Sequence, residues 1–480
     1  MSFYQKFTKD VGIIGLTNLI VALRGLVILP VITKLLGVES YGIWTQLIVT
    51  LSLLTLIATL GLPYTLVRFL AAETDKKEIQ NGLWSVLTVV FGVALIIGLI
   101  LLFFSSPVSQ FFGGGKILVQ ILALTIIFEC LNQVFLNVFR AFQQIKKYSC
   151  ITIFQTLGEV GLVVAMILLG YGLLGAVLSL LIIRTIIFLI LLNFIFGEIG
   201  IKVPNLSKTK KYLKFGLPIV ASNISYWIIQ SSDRYLIGFF LGTLFVGYYA
   251  PAYTLGTITI LFIAPIAFLL PATLSHLFDQ NKVNEVKIYL KYSLKYFLMI
   301  AIPSVFGISI LSKQLLTIFS TSEIALNAFF VTPFVALSII LYGIYNIFVQ
   351  IIILKKKTKI AGAIWIGAAF LNLGLNFIFI PKFGILGAAI TTLIAYTFAL
   401  ILTWHYSFRE FPFEIDWKFV LKSVFASILM TLFILWLGPI GLSKTIIAII
   451  SGALIYGTLM LLFRGVGKKE VIFLKSFLRK

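Results

Sequence analysis

Six charged side chains stand inside otherwise apolar stretches: Arg24, Glu129, Glu159, Arg184, Asp233 and Arg234. A charge at the centre of a bilayer costs roughly 2.5–3.5 kcal/mol even on a lenient insertion scale, so each must face protein, a charge partner or water. Guanidinium grips phosphate through paired N–H donors and stays charged when desolvated. Arg24, with no acid in its own segment, is therefore the leading candidate for holding an anion. Glu159 and Arg184 lie mid-depth on adjacent segments, where a structural ion pair and a coupling role are equally open readings.

Two polar stripes accompany these charges. Between Phe215 and Leu241, the residues Asn223, Tyr226, Gln230, Asp233 and Arg234 recur at steps of three and four, which places them on one face of a helix. Asp233 and Arg234 point about 100° apart on such a helix, so neither is satisfied by the other alone. A functional role is favoured for both. A second stripe carries Glu129, Asn132, Gln133, Asn137 and Arg140 at helical spacing, and Gln155 stands four residues before Glu159.

The elements that position these residues are membrane helices. Hydrophobic residues make up 60% of the 480, and only 11% are charged; mean hydropathy is +1.10. That composition defines an integral membrane protein. Apolar runs near 11–36, 43–70, 82–104, 117–139, 150–169, 173–196, 215–241, 245–270, 291–315, 325–353, 360–380, 385–407, 419–438 and 444–463 give about fourteen transmembrane helices. With the N-terminus inside, the inner loops hold 30 of the 38 Lys and Arg and the outer loops five. The asymmetry predicts a multi-pass cell-membrane protein with both termini cytoplasmic.

An internal repeat organises the helices. Leu36-Gly37 and Tyr41-Gly42 recur as Leu241-Gly242 and Val246-Gly247, at an offset of 205. Tyr171-Gly172-Leu173-Leu174-Gly175-Ala176 recurs as Phe383-Gly384-Ile385-Leu386-Gly387-Ala388, at an offset of 212. Six segments per copy is an even number, so the copies enter the membrane in the same sense, a parallel repeat. The expected architecture is all-α. It has a six-helix N-terminal lobe over 1–200, a six-helix C-terminal lobe over 201–408, and two further helices with a basic tail over 409–480. The second lobe answers the first with Tyr342, Tyr345, Asn346, Gln350, Asn372 and Asn376, which are polar but uncharged.

Several chemistries find no support. The two histidines and two cysteines form no ligand cluster, so no metal site is expected. Gly113-Gly114-Gly115 lacks the following Gly-Lys-Ser/Thr of a phosphate loop. The net charge of +22 belongs to membrane-flanking loops and implies no nucleic acid. The outer loops are too short for a folded catalytic domain and their only acids are Glu39 and Glu323, which argues against a membrane sugar polymerase.

Arg24-Gly25-Leu26-Val27-Ile28-Leu29-Pro30, Tyr41-Gly42-Ile43-Trp44 and Leu60-Gly61-Leu62 resemble the N-terminal region of prokaryotic polysaccharide-export flippases. Asp233-Arg234-Tyr235-Leu236-Ile237-Gly238, with Val246-Gly247-Tyr248-Tyr249 after it, resembles the start of their second lobe. These proteins belong to the multidrug/oligosaccharidyl-lipid/polysaccharide exporter superfamily. The resemblance implies a transporter, not an enzyme, that flips polyprenyl-(pyro)phosphate-linked oligosaccharide by alternating access. It implies a monomer without cofactor, surrounded by membrane lipids, with H⁺ or Na⁺ coupling open and glycan-assembly proteins as candidate partners. Arg24 is then the expected phosphate ligand. Asn223, Tyr226, Gln230 and Arg234 are expected along the sugar path, with Glu129, Asn132 and Gln133 as further substrate contacts. Asp233 stays open between ligand, coupling group and partner of an arginine. A cation-coupled multidrug exporter and a peptidoglycan-precursor flippase of the same superfamily are the rival readings.

Overall fold

The computed structural model describes residues 3–71 and 73–465, without the side chains of 3–11, 265, 268 and 272. The Lys6 and Lys9 side chains and most of the basic C-terminal tail lie outside the described residues. Every regular element described is a helix. The chain divides into two compact units, Met1–Ala250 and Pro251–Lys480.

The first unit contains α1 (Phe3–Leu36), α2 (Val38–Ala58), α3 (Leu62–Leu70), α4 (Lys76–Phe103), α5 (Ser105–Phe112), α6 (Lys116–Ala141), α7 (Ile145–Leu168), α8 (Gly172–Glu198) and α9 (Thr209–Leu241). Helix α10 (Thr243–Thr257) crosses the division. The second unit continues with α11 (Ile260–Asp279), α12 (Val283–Ile310), α13 (Ser312–Phe319), α14 (Ser322–Ala328), α15 (Val331–Leu354), α16 (Thr358–Glu410), α17 (Trp417–Leu437) and α18 (Leu442–Leu462).

Twelve of the described helices are long and apolar enough to cross a membrane. One of them, α16, is two helices merged across Gly384, whose φ of 61° and ψ of −144° lie far from helical values. Helix α9 is 33 residues long but is not among the twelve. The fourteen-segment reading therefore rests on counting α16 twice and on admitting α9. Other segments read as single runs are interrupted. The run 43–70 breaks at Leu60 and Gly61, both at positive φ, and the run 245–270 is shared between α10 and α11.

Lipid is as apolar as a leucine side chain, so helices in a bilayer associate through close packing and polar contacts rather than expulsion of water. In the first unit α6 is the central element, packing against α2, α3, α4 and α8. Leu122, Val134 and Phe135 are completely buried there, and Phe135 stacks on Phe188 of α8. Helix α4 shows the complementary pattern, with Leu95, Ile96, Leu99 and Ile100 exposed along one side as a lipid-facing surface requires. The second unit has its own core, in which Leu290, Phe297 and Ile351 are buried.

The glycines of the repeat sit where two backbones touch. A Cβ on Gly42 would stand 2.2 Å from the Thr243 carbonyl oxygen, and one on Gly247 would stand 2.1 Å from the Val38 carbonyl oxygen. Gly42 and Gly247 are repeat partners at the offset of 205, and so are Val38 and Thr243. The contact is thus reciprocal, each copy's glycine meeting the other copy's carbonyl. Gly42→Ala or Gly247→Ala is expected to cost roughly 1–3 kcal/mol through overpacking, read as a lowered unfolding midpoint in detergent. Gly92→Ala on α4, with nothing within 4 Å of the added atom, should leave that midpoint unchanged. Equal midpoints for all three would show that the backbone contact is slack.

Candidate functional site

A cavity of about 450 Å³ opens inside the first unit among α1, α2, α3, α6, α7 and α8. Its charged lining consists of Arg24, Arg140, Arg184 and Glu129. Helix α6 supplies one wall because Glu129, Gln133, Leu136, Asn137 and Arg140 follow one another at steps of three and four, or at their sum. Helix α2 and the Thr59 that caps its C-terminus supply a hydroxyl wall by the same logic, through Ser52, Thr55 and Thr59. Tyr148, Thr152, Gln155 and Thr156 of α7 complete the polar lining.

The charges form a chain of contacts. Glu159 Oε2 accepts hydrogen bonds from Arg24 Nη1 at 3.0 Å and from Arg184 Nη1 at 2.7 Å. Arg184 Nε donates to Glu129 Oε2 at 3.1 Å, and Gln133 Nε2 donates to Glu129 Oε1 at 3.1 Å. Two guanidiniums and two carboxylates therefore cancel in formal charge. Burial grades along the chain: the Glu159 side chain is 1% exposed, Arg184 5%, Glu129 14% and Arg24 32%. Arg24 is the exposed end. Its contact with Glu159 uses one nitrogen, and the side chain lines the cavity. The sequence set Arg24 apart from any acid; the fold gives it one from α7, 135 residues away.

Asn132 departs from its stripe. It is buried and donates from Nδ2 to the Arg184 carbonyl oxygen at 2.9 Å, so it ties α6 to α8 instead of lining the cavity. Arg140 stands at the far end of the wall. Its Nη1 donates to Asn137 Oδ1 at 2.9 Å, and its guanidinium lies 6.0 Å from the centre of the Tyr148 ring.

The stripe on α9 is placed differently from its expectation. Asp233 and Arg234 are both buried, and Arg234 Nη1 donates to Asp233 Oδ1 at 2.6 Å and to the Gln230 carbonyl oxygen. The Tyr249 hydroxyl from α10 donates to Asp233 Oδ2, and its ring centre is 5.4 Å from the Arg234 guanidinium. Tyr249 thus brings a further group to the pair from the next helix. Gln230 Nε2 donates to the Tyr226 hydroxyl at 3.1 Å, and Asn223 and Tyr226 are half-buried. None of these α9 residues lines the cavity of the first unit. In the second unit Asn376 Nδ2 donates to Asn372 Oδ1 at 3.2 Å, and the Thr391 hydroxyl donates to Asn376 Oδ1.

Sequence reading missed Ser52, Thr55, Thr59, Tyr64 and Tyr148 as lining residues. Thr55, three after Ser52, and Thr59, four further on, do follow a helical period. Tyr148 and Thr152 likewise precede Gln155 at steps of four and three, so the α7 wall too follows a helical period.

A cation-lined cavity in a polytopic helical membrane protein defines the class, and known sequences supply the family. The chain belongs to the polysaccharide biosynthesis protein family, which matches residues 7–278. It is similar to the probable low-salt glycan biosynthesis flippase Agl15 of Haloferax volcanii, 27% identical over 270 residues, covering 55% of this chain and 57% of that protein. It is also similar to the probable flippase AglR of the same organism, 28% identical over 290 residues, covering 56% of this chain and 58% of that protein. The matches thus span just over half the length of these relatives. The fold resembles the lipid II flippase MurJ in an inward closed conformation, with TM-score 0.79 at 19% identity over 95% of this chain and 99% of MurJ. It also resembles an inward-facing multidrug resistance MATE family transporter of the MOP superfamily, with TM-score 0.64 at 17% identity over 82% of this chain and 97% of that one.

Proposed function

We propose that this protein moves oligosaccharide linked to a polyprenyl phosphate or diphosphate across the membrane by alternating access, as a transporter and not an enzyme. The observation that carries the reading is Arg24, the exposed end of an otherwise buried and neutral ion chain, set in a polar cavity. A phosphate there exchanges Glu159 for a better-hydrated anion, while Gln133, Asn137, Gln155 and the α2 hydroxyls offer hydrogen bonds to sugar hydroxyls. The polyprenyl chain stays in the bilayer, so the cavity need take only the polar head. The relatives named as flippases in glycan biosynthesis support the same reading.

The lining carries three arginines against Glu129, with Glu159 behind Arg24, and this favours an anion over the cations a multidrug exporter takes. The lobes 1–200 and 201–408 supply the alternating halves in this proposal, and both termini are cytoplasmic by the Lys and Arg distribution. Glu129 and Glu159 are the groups through which H⁺ or Na⁺ coupling would act.

Depletion of the protein tests the proposal. Extraction of membrane lipids is expected to show an accumulated lipid-linked oligosaccharide, protected from a glycan-digesting enzyme added outside. Accumulation of a peptidoglycan precursor alone would move the assignment to the rival flippase. No accumulated lipid-linked glycan of either kind would overturn the transport reading.

A further inference from the structure

Two arginines are left over by the cavity's ion chain, and both line a second pocket. This pocket, of about 360 Å³, lies in the first unit beside the polar cavity and shares Tyr64 and Arg140 with it. Its other lining residues are Val67, Arg68, Ala71, Phe215 and Ile219. Apart from the two guanidiniums and the Tyr64 hydroxyl, the walls are aliphatic and aromatic. No carboxylate lines it among the described residues. Arg68 makes no hydrogen bond or ion pair among the described residues, and Arg140 has only the neutral Asn137 and Tyr148.

Arginines at helix ends are common, because they complement the partial negative charge of the last carbonyls. Arg68 and Arg140 do stand in the last turns of α3 and α6. That role does not require them to share a pocket. Both side chains are exposed, so their mutual repulsion is screened and an anion can reach them; one held between the two is favoured by both charges and opposed by no carboxylate in the lining. Both also stand next to the polar turns that end their helices, where an apolar span gives way to polar chain.

We propose that this pocket is a side entrance for the substrate's lipid phosphate. Arg68 and Arg140 hold the phosphate or diphosphate, and Val67, Phe215 and Ile219 pack on the first isoprene units. Tyr64 and Arg140, common to both pockets, mark the passage into the cavity. Arg140 is 11 residues from Glu129 on α6, so the phosphate travels about 16 Å along that helix to reach the level of Arg24 and Arg184. This inference rests on the proposed transport of a lipid-linked glycan and adds the place where its lipid enters.

The test uses the full chain in nanodiscs, with farnesyl diphosphate as probe and farnesol and inorganic pyrophosphate as controls. Farnesyl diphosphate should bind more tightly than either control. The double variant R68Q/R140Q should weaken it by about tenfold or more, since charge-assisted hydrogen bonds to two groups are lost. Ile219→Trp fills the apolar wall and should weaken farnesyl diphosphate while leaving pyrophosphate unchanged, which separates pocket filling from loss of fold. Unchanged binding in R68Q/R140Q, or pyrophosphate binding as well as the farnesyl compound, would overturn the entrance. If R68Q/R140Q loses the probe but depletion accumulates no lipid-linked glycan, the lipid-phosphate site stands and the transport reading falls. If depletion accumulates the glycan while R68Q/R140Q binds normally, only the entrance falls.

Discussion

Arg184→Leu is expected to cost more stability than any other single substitution in the cavity wall, and to deplete the protein from the membrane fraction. Arg184 is the one guanidinium that touches both carboxylates of the chain, Glu159 at 2.7 Å and Glu129 at 3.1 Å, and its side chain is 5% exposed. Leucine leaves Glu159 with Arg24 alone and Glu129 with only the amide of Gln133. Removing one partner from a buried ion pair costs roughly 3–5 kcal/mol, because the remaining charge is stranded. Net stabilities are typically about 5–15 kcal/mol, so this is a large fraction of the whole. Adding Glu159→Gln should restore part of the loss, since it neutralises the more deeply buried of the two carboxylates that lose Arg184; Glu129, 14% exposed, still lacks its arginine, and Arg24, a third exposed, lacks its acid. The readouts are the unfolding midpoint in detergent and the membrane abundance of the three variants. A wild-type midpoint in Arg184→Leu, or strictly additive losses in the double variant, would show that the contacts contribute little.

The membrane class, the helical architecture and the polar wall of α6 are all legible in the sequence, because each is a periodic or compositional property of one segment. Glu129, Gln133, Asn137 and Arg140 line the cavity at the spacing that identified them. Asn132 follows a step of three from Glu129 but stands one residue from Gln133, about 100° around the helix, and that rotation turns it toward α8. Partnerships between helices leave no such trace. Nothing in the segments of Arg24 and Glu159 reports that α1 lies against α7, so an arginine that looks solitary in sequence can be paired in the fold. Tyr249 joins the Asp233–Arg234 pair from the next helix for the same reason.

Hydroxyls were hard to read for a different reason. Serine and threonine in apolar helices often bond back to the carbonyl four residues earlier and carry no functional weight. Thr59 does this, with its hydroxyl 2.9 Å from the Thr55 carbonyl oxygen, and still lines the cavity. Helix breaks are invisible to hydropathy as well. The run 43–70 is apolar throughout, and only Gly61-Leu62-Pro63 hints that the backbone turns there. The repeat was more informative than a periodic pattern could be. Its offset of 205 pairs Gly42 with Gly247 and Val38 with Thr243, and those four residues meet in the fold.

Arg24→Gln is expected to abolish most transport while leaving the amount of protein in the membrane unchanged. The two effects separate because Arg24 is the exposed end of the ion chain. Without it Glu159 keeps its shorter contact, to Arg184 at 2.7 Å, and no buried carboxylate is stranded. The lost interaction is the one with substrate. A hydrogen bond to a charged group contributes roughly 1.5–3 kcal/mol, so a phosphate held by Arg24 should bind roughly ten- to a hundredfold more weakly in the glutamine variant. Arg24→Lys keeps the charge but loses the planar fork that grips two phosphate oxygens, and should fall between the two. Surface glycan, scored in cells that carry each variant as the sole copy, gives the order wild type, lysine, glutamine. Normal surface glycan in Arg24→Gln at normal abundance would remove Arg24 from the substrate site. The guanidinium would then be a structural cap on Glu159, and the candidate phosphate ligands would reduce to Arg184 and Arg140 along the α6 wall.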